Sequence, residues 1–305
     1  MSYIAALTWS GALRLSAHTN EARWKEKARH ELEPFTSGEK TAIAEPHQLT
    51  SLAGHAALFD FGEKAAARAA ADLILSTDPA EGIRFARGWT DDMFMATSLL
   101  ARVVTPALGD PYSRAVGRLL ITYSVKLQRP DGLFVHAAEG PHAWGRGNGF
   151  AALGLVEALT HLSERWPDRP RVLDIYRRHM QALARHQSDE GSLRQVVDDD
   201  SSYQELTVTA MTVAAMARGV RQGWLGRSFQ SNIERGWRAV STRVGEDGTL
   251  RDVCAGTAAG PTKEYYLTRP VINGADDRGG AMALLAALEM EELRRVQAVR
   301  SLGGP

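Results

Sequence analysis

Three polar residues of this chain share one phase. Asp91, Asn148 and Glu205 are separated by 57 and 57 residues, and each stands where a helix is expected to begin. In a ring of helix hairpins, equivalent positions meet at one end of the central hole, so these three would face one cavity. Free N–H groups and partial positive charge at helix N-termini suit a carboxylate or another anion in such a mouth. Asp and Asn are also favoured helix caps, and spacing alone leaves capping open for each. Other groups cluster in the same phase. Trp89 precedes Asp91 by two residues, His136 follows the turn at Asp131, and Trp144, Arg146 and Asn148 alternate just before a helix. An indole face takes the apolar C–H surface of a sugar ring, and a guanidinium grips a carboxylate through two parallel hydrogen bonds. Each Trp would serve equally as core packing, and His136 as an ordinary loop histidine.

Helices must position these groups. Met95, Leu99 and Val103 repeat every four residues, and Leu155, Leu159, Leu162 and Trp166 follow a four-three-four pattern, as do Leu206, Ala210, Val213, Ala217 and Val220 within their run. Such spacing makes one apolar stripe per helix. The expected helices are 3–18, 20–35, 47–61, 62–77, 90–105, 110–128, 148–165, 169–187, 204–222, 226–243 and 278–297. Strand alternation is confined to short runs at Leu133 to His136 and Leu193 to Val197, expected as loop hairpins. A Gly-centred turn recurs at Asp131-Gly132, Glu190-Gly191 and Asp247-Gly248. The period fits one helix hairpin per repeat, hence an all-α toroid of hairpins. Six hairpins would need about 340 residues at this period, and the chain has room for about five and a half. One domain spanning 1–305 is expected. The longest irregular stretch runs from Gly256 to Arg278, and long loops of compact domains often carry function.

Composition narrows the partners. Among 305 residues, 36 Lys and Arg balance 36 Asp and Glu, so no basic footprint for nucleic acid or an anionic membrane exists. One cysteine, Cys254, precludes an internal disulfide and suits a reducing compartment. No apolar run approaches the roughly 20 residues of a membrane span, and the segment from Met1 to Thr19 reads as an amphipathic helix. A cytoplasmic location is expected. No metal-ligand spacing, dinucleotide fingerprint, P-loop or nucleophile elbow is present, and Asp198 to Asp200 lacks calcium-loop spacing.

Five segments in order resemble the unsaturated glucuronyl and rhamnogalacturonyl hydrolases, glycoside hydrolase families 88 and 105. Gly88-Trp-Thr-Asp-Asp-Met-Phe-Met95 is similar to their W-x-D-x-L-F-M motif, and Asp131-Gly-Leu-Phe-Val-His136 to their D-G-L-x-x-H turn. Trp144-Gly-Arg-Gly-Asn-Gly-Phe150 resembles W-x-R-G-N-x-W, and Tyr203 to Met211 resembles Y-x-E-x-S-x-T-A. Gly256-Thr257, Tyr265-Tyr266 and the Gly279-Gly280-Ala281 helix follow in order, so the match runs from about Tyr3 to Leu293.

The resemblance implies an (α/α)6 barrel and hydration of a vinyl ether. Asp91 would be the general acid and base, protonating C4 of a terminal 4,5-unsaturated uronate while water adds at C5. The hemiketal then opens and expels the remaining oligosaccharide. Trp89, His136, Trp144, Arg146, Asn148 and Glu205 would bind substrate, with Arg146 as carboxylate partner, and no metal or organic cofactor is implied. Asp92 points about 100° away on the helix, so the same change there is expected to do little. The family begins with one further N-terminal helix. Without it the ring is expected to be open, or covered by another copy of the chain along Tyr3, Ile4, Leu7, Leu293 and Val296. The family also carries a second Asp, and aligning Gly54 to Leu58 with its G-R-x-L-L places Leu49 there. Glu45, His47 and Gln48 lie nearby, with His47 and Gln48 as candidate substrate contacts. This departure keeps open a related barrel enzyme acting on another modified glycoside, or a noncatalytic glycan-binding protein.

Overall fold

The computed structural model describes residues 1–75, 82–105 and 110–302. The last two positions of the expected helix 62–77 lie outside them. Its α-helices are α1 (Tyr3–Thr19), α2 (Ala22–Thr36), α3 (Leu49–Leu52), α4 (His55–Asp60), α5 (Lys64–Ile74), α6 (Thr90–Leu100) and α7 (Pro111–Leu127). They continue with α8 (Gly145–His161), α9 (Arg169–Arg185), α10 (Leu206–Arg221), α11 (Gln230–Ser241), α12 (Lys263–Leu267) and α13 (Asp277–Leu302). Local chemistry sets several starts. Asp110 accepts from the N–H groups of Tyr112 and Ser113 and is followed by Pro111, a cap and a first-turn proline together. The recurring turns carry Gly132 and Gly191 at φ 95° and 96°, the left-handed backbone that a side chain resists. A Cβ on Gly132 would also meet the Arg178 carbonyl oxygen at 2.7 Å.

The expected helix 47–61 is two pieces, α3 and α4. The break falls at Gly54, where a Cβ would stand 3.0 Å from the Met1 carbonyl carbon. The expected hairpin at 193–197 is present as β1 (Leu193–Arg194) pairing antiparallel with β2 (Gln204–Glu205). A second antiparallel pair was not anticipated: β3 (Leu250–Cys254) with β4 (Val271–Gly274), which has a register shift between Leu250 and Val253. Much of the irregular Gly256 to Arg278 stretch is thus a strap between paired strands, carrying α12.

The helices form two concentric layers. Inside, α1 packs on α4, α6 on α3 and α8, α8 on α10, α10 on α13, and α13 returns to α1. Outside stand α2, α5, α7, α9 and α11. The inner helices α8 and α10 are buried on every side from Gly145 to Leu159 and from Leu206 to Val220. Small residues permit this: a Cβ on Gly154 would lie 2.3 Å from the Met93 carbonyl oxygen, so α6 and α8 touch backbone to backbone. The inner ring is therefore closed, and the helix shortfall lies in the outer layer beside α13. The expected exposed flank is only partly covered, since Ile4 and Val296 stay half-buried. Leu293 is buried, Tyr3 and Leu7 pack against the main core, and the exposed large hydrophobics among the described residues are Val125, Val244, Val271 and Val299.

One ion network ties the C-terminal ends of the inner helices. Arg102 joins Asp60 and Glu157, Arg218 joins Glu157 and Glu289, and Arg14 joins Glu289 and Glu292. The Ser10 hydroxyl donates to Asp60 at 2.6 Å and closes the circle. A cavity of about 390 Å³ opens here. Its charged lining is paired with itself, and its apolar lining runs up the barrel interior to Tyr3 and Phe94.

Candidate active site

Asp91 stands in the first turn of α6, at the N-terminal end of the inner ring. The loop before it is held by its neighbour. Asp92 Oδ2 accepts from the N–H groups of Arg87, Gly88 and Trp89 at 2.8, 2.8 and 3.1 Å and from the Tyr123 hydroxyl at 2.8 Å. Asp92 is buried, and burial pushes its carboxyl up to about 6 despite those donors. Asp92 points away from Asp91, as the helical offset predicts, into a buried knot that shapes the turn before α6.

Asp91 keeps 21% of its side chain exposed, and its Oδ2 lies 3.2 Å from Nε2 of His136. His136 has no exposure. Its Nδ1 is 2.9 Å from the Tyr266 hydroxyl, which itself accepts from the Gly260 N–H at 3.1 Å. Burial raises the Tyr266 hydroxyl to about 12, so it keeps its proton at neutral pH. The Tyr266 hydroxyl has a proton to offer Nδ1, and the tautomer in which it donates leaves Nε2–H to face the Asp91 carboxylate. The imidazole is wedged between indoles, with Trp144 at 4.4 Å and Trp89 at 5.4 Å between ring centroids. Trp89 is half-buried and donates to Glu139 at 2.7 Å. Trp144 is 1% exposed and forms the layer behind His136.

The other anticipated residues sit deeper. Asn148 has no exposure, and its amide bonds the Phe134 N–H and the carbonyls of Phe134 and Trp144 at 2.8, 2.8 and 2.9 Å. It pins the His136 loop to α8. Glu205 caps α10, accepting from the Val208 N–H at 2.7 Å and the Cys254 N–H at 2.9 Å, with both oxygens also taking the Thr207 hydroxyl. Arg146 is 3% exposed, and its Nη1 and Nη2 donate to the carbonyls of Cys254 and Ala255, both at 2.6 Å. These three were read from sequence as direct ligand contacts. Their polar atoms are engaged by the protein, and they fasten the surrounding segments.

His47 pairs with Glu45 at 2.9 Å and lies 5.6 Å from Phe85, at the outer edge of the loop leading to Trp89. Gln48 is exposed and precedes α3. Among the described residues neither bonds to Asp91, His136 or Trp89. Leu49 is 3% exposed and belongs to the main core. Tyr3, expected on an outer flank, instead stands under the site, with its ring 5.6 Å from Phe150 and 6.4 Å from Phe94. Burial raises its hydroxyl to about 12, and the charges of Arg146, Asp91, Arg278 and Asp276 all bear on it. Tyr3 and Arg278 were missed as site residues; the tyrosine pair in the long loop was the only advance sign of Tyr266. Among the described residues no group of His, Cys, Asp or Glu is arranged to hold a metal ion, and no helix is long and apolar enough to cross a membrane.

This arrangement of inner ring, Asp91 and stacked aromatics coincides with a family match over nearly the whole chain. The model of Glycosyl Hydrolase Family 88 matches residues 2–294. The chain belongs to that family. It is 27% identical over 192 residues to the unsaturated rhamnogalacturonyl hydrolase YesR of Bacillus subtilis, covering 60% of this chain and 54% of the relative. It is 26% identical over 217 residues to an unsaturated 3S-rhamnoglycuronyl hydrolase of Alteromonas, covering 66% of this chain and 50% of the relative. The chain thus spans about half the length of the curated relatives it matches. A family 105 glycoside hydrolase from C. acetobutylicum superposes with a TM-score of 0.78 at 20% identity, over 95% of this chain and 93% of that one. The unsaturated glucuronyl hydrolase of Bacillus sp. GL1 superposes with a TM-score of 0.64 at 15% identity, over 93% and 85%. These two likenesses establish the all-helical barrel fold of this family member.

Proposed function

We propose that this family 88 member removes a terminal 4,5-unsaturated uronic acid from oligosaccharides left by polysaccharide lyases. The observation that carries the reading is the partly exposed Asp91 carboxylate, 3.2 Å from the buried His136 and walled by Trp89. Asp91 in its acid form delivers a proton to C4 of the vinyl ether. The resulting carboxylate takes a proton from the water that adds at C5. The hemiketal formed at C5 collapses, its ring opens, and the glycosidic oxygen leaves with the remaining sugar. His136, fixed by Tyr266, steadies the carboxylate through Nε2–H. The rhamnogalacturonyl and rhamnoglycuronyl hydrolase relatives support this class of substrate.

A second reading, a related barrel enzyme acting on another modified glycoside, draws on Leu49. A buried leucine offers no hydrogen bond to a sugar hydroxyl, so a substrate blocked or altered at the matching position would fit better than a simple unsaturated glucuronyl disaccharide. One assay decides between them. A panel of lyase-generated disaccharides, simple and substituted, is incubated with the protein, and loss of the ultraviolet absorbance of the ene-acid is followed. Turnover of any of them supports the hydrolase, and preference for the substituted ones supports the role of Leu49. Absence of turnover across the panel refutes the hydrolase reading.

A further inference from the structure

The uronate recognised in the proposed reaction carries a carboxylate on C5, next to the carbon that Asp91 protonates. Its partner must therefore come from the wall adjoining Asp91. Arg146 occupies that wall, but its terminal nitrogens already hold the Cys254 and Ala255 carbonyls and only 3% of the residue is exposed. Two of its five N–H donors hold buried carbonyls, and at 3% exposure the rest have almost no open face toward a ligand. The structure places a second guanidinium beside it. Arg278 stands in the first turn of α13 and keeps 25% of its side chain exposed. Its hydrogen bond among the described residues is Nη2 to Asp276 at 3.1 Å.

The two arginines flank one short backbone segment. Arg146 holds the carbonyl of Ala255, and Nη1 of Arg278 lies 3.2 Å from where a Cβ on the next residue, Gly256, would stand. On the other side, Arg146 lies 4.8 Å over Trp144, Trp144 backs His136, and His136 meets Asp91. Tyr3, at the start of α1, lies within the fields of both arginines and of Asp91. Asp276 also accepts from the Gly279 N–H at 2.8 Å, so its carboxylate serves the start of α13 as well as Arg278. It orients Arg278 through Nη2 while Nη1 and Nε remain to donate.

We infer that Arg278 is the substrate-specificity residue of this site: its guanidinium pairs with the uronate carboxylate, while Arg146 acts as the positioning residue that holds the Cys254–Ala255 backbone against it. The inference rests on the uronyl reading of the site. It requires that the chain discriminate a uronate from the matching neutral sugar through Arg278.

Two measurements on the whole chain test it, with Arg278→Ala and Arg278→Lys beside the wild type. Calorimetric titration with glucuronate and with glucose reads carboxylate binding without any turnover. Steady-state kinetics on an unsaturated uronyl disaccharide and on its methyl ester reads the charge requirement during reaction. A charge-assisted hydrogen bond is worth roughly a tenfold to hundredfold change in affinity. Arg278→Ala should weaken glucuronate binding and raise KM for the acid by about that factor, leave the methyl ester nearly unaffected, and keep kcat within about tenfold. Arg278→Lys should recover part of the acid preference. Glucuronate binding that is unchanged in Arg278→Ala overturns the inference, as does an equal loss on acid and ester, or a wild type that fails to bind glucuronate. If the wild type binds glucuronate through Arg278 yet hydrolyses no disaccharide, the hydrolase reading fails and the carboxylate clamp stands.

Discussion

Oδ2 of Asp91 lies 3.2 Å from Nε2 of His136. Among the described residues the Asp91 carboxylate meets the His136 ring on one side and is left partly open on the other. Asp91→Asn keeps the shape and removes the titratable group. It should lower kcat at least about 100-fold, the low end for general acid–base catalysis, while calorimetry finds uronate affinity within a few-fold of wild type. Normal turnover by the variant would reduce Asp91 to a first-turn helix residue.

Asp92 makes the opposite contrast. Its carboxylate organises three N–H groups and a tyrosine hydroxyl in a buried place. At about pH 4, Asp92→Ala should cost about 1–3 kcal/mol of stability, seen as a lower urea midpoint, whereas Asp91→Asn should leave that midpoint in place. The pH dependence has a definite sign. The folded carboxyl sits at about 6 against 3.8 in a free chain, so the folded state binds the proton more tightly. The contribution of Asp92 to stability is full below about pH 4 and is lost as pH rises through about 6. Urea titrations of wild type and variant across that window would expose the difference.

Tyr266→Phe tests the proton arrangement around His136. The ring shape is kept and the donor to Nδ1 is removed. Without it the imidazole can carry its proton on Nδ1, turning a bare Nε2 lone pair toward the Asp91 carboxylate. A roughly tenfold or larger fall in kcat with a displaced pH–rate profile is expected, and KM should change less. A uniform rise in KM with an unmoved profile would instead make Tyr266 a packing residue.

The charged circle at the far end predicts acid sensitivity. Glu289 is buried, which would raise its carboxyl, but Arg218 and Arg14 outweigh burial and hold it down to about 2. Against 4.5 in the unfolded chain, its contribution is full above about pH 4.5 and is lost as pH falls toward 2. Glu289→Gln should flatten the decline of melting temperature in that range. Arg218→Met leaves Glu157 and Glu289 each short of a partner and should cost about 3–5 kcal/mol at neutral pH. An unchanged urea midpoint in Arg218→Met would deny the network a structural role.

Much of the barrel was legible because it is periodic. The apolar stripes marked the helices, and the Gly132 and Gly191 turns marked the repeat, since only their positive φ allows the chain to reverse there. The same period was less informative about chemistry. Asp91, Asn148 and Glu205 share a phase because each stands at or near a helix start, yet Asn148 pins a loop and Glu205 caps α10. What periodicity reports is where backbone N–H groups are unsatisfied, and polar side chains gather there for that reason first. The β3–β4 pair was invisible because its strands lack a sustained alternation and their register shifts. Tyr3 and Arg278 carried no local signal at all, since their nearness depends on α13 folding back against α1.

That seam between α1 and α13 has a consequence for the newborn chain. Every other junction of the inner ring joins helices made in succession, whereas this one joins the third residue to a helix that begins at residue 277. Closing so long a loop carries the greatest chain-entropy cost and comes late. Across the seam, the charges of Arg278 and Asp91 both bear on Tyr3. A chain synthesised through α11 carries Asp91, His136 and the indoles but neither Tyr266 nor the helix that closes the ring. A polypeptide cut short before α13 is therefore expected to leave the inner ring open between α10 and α1.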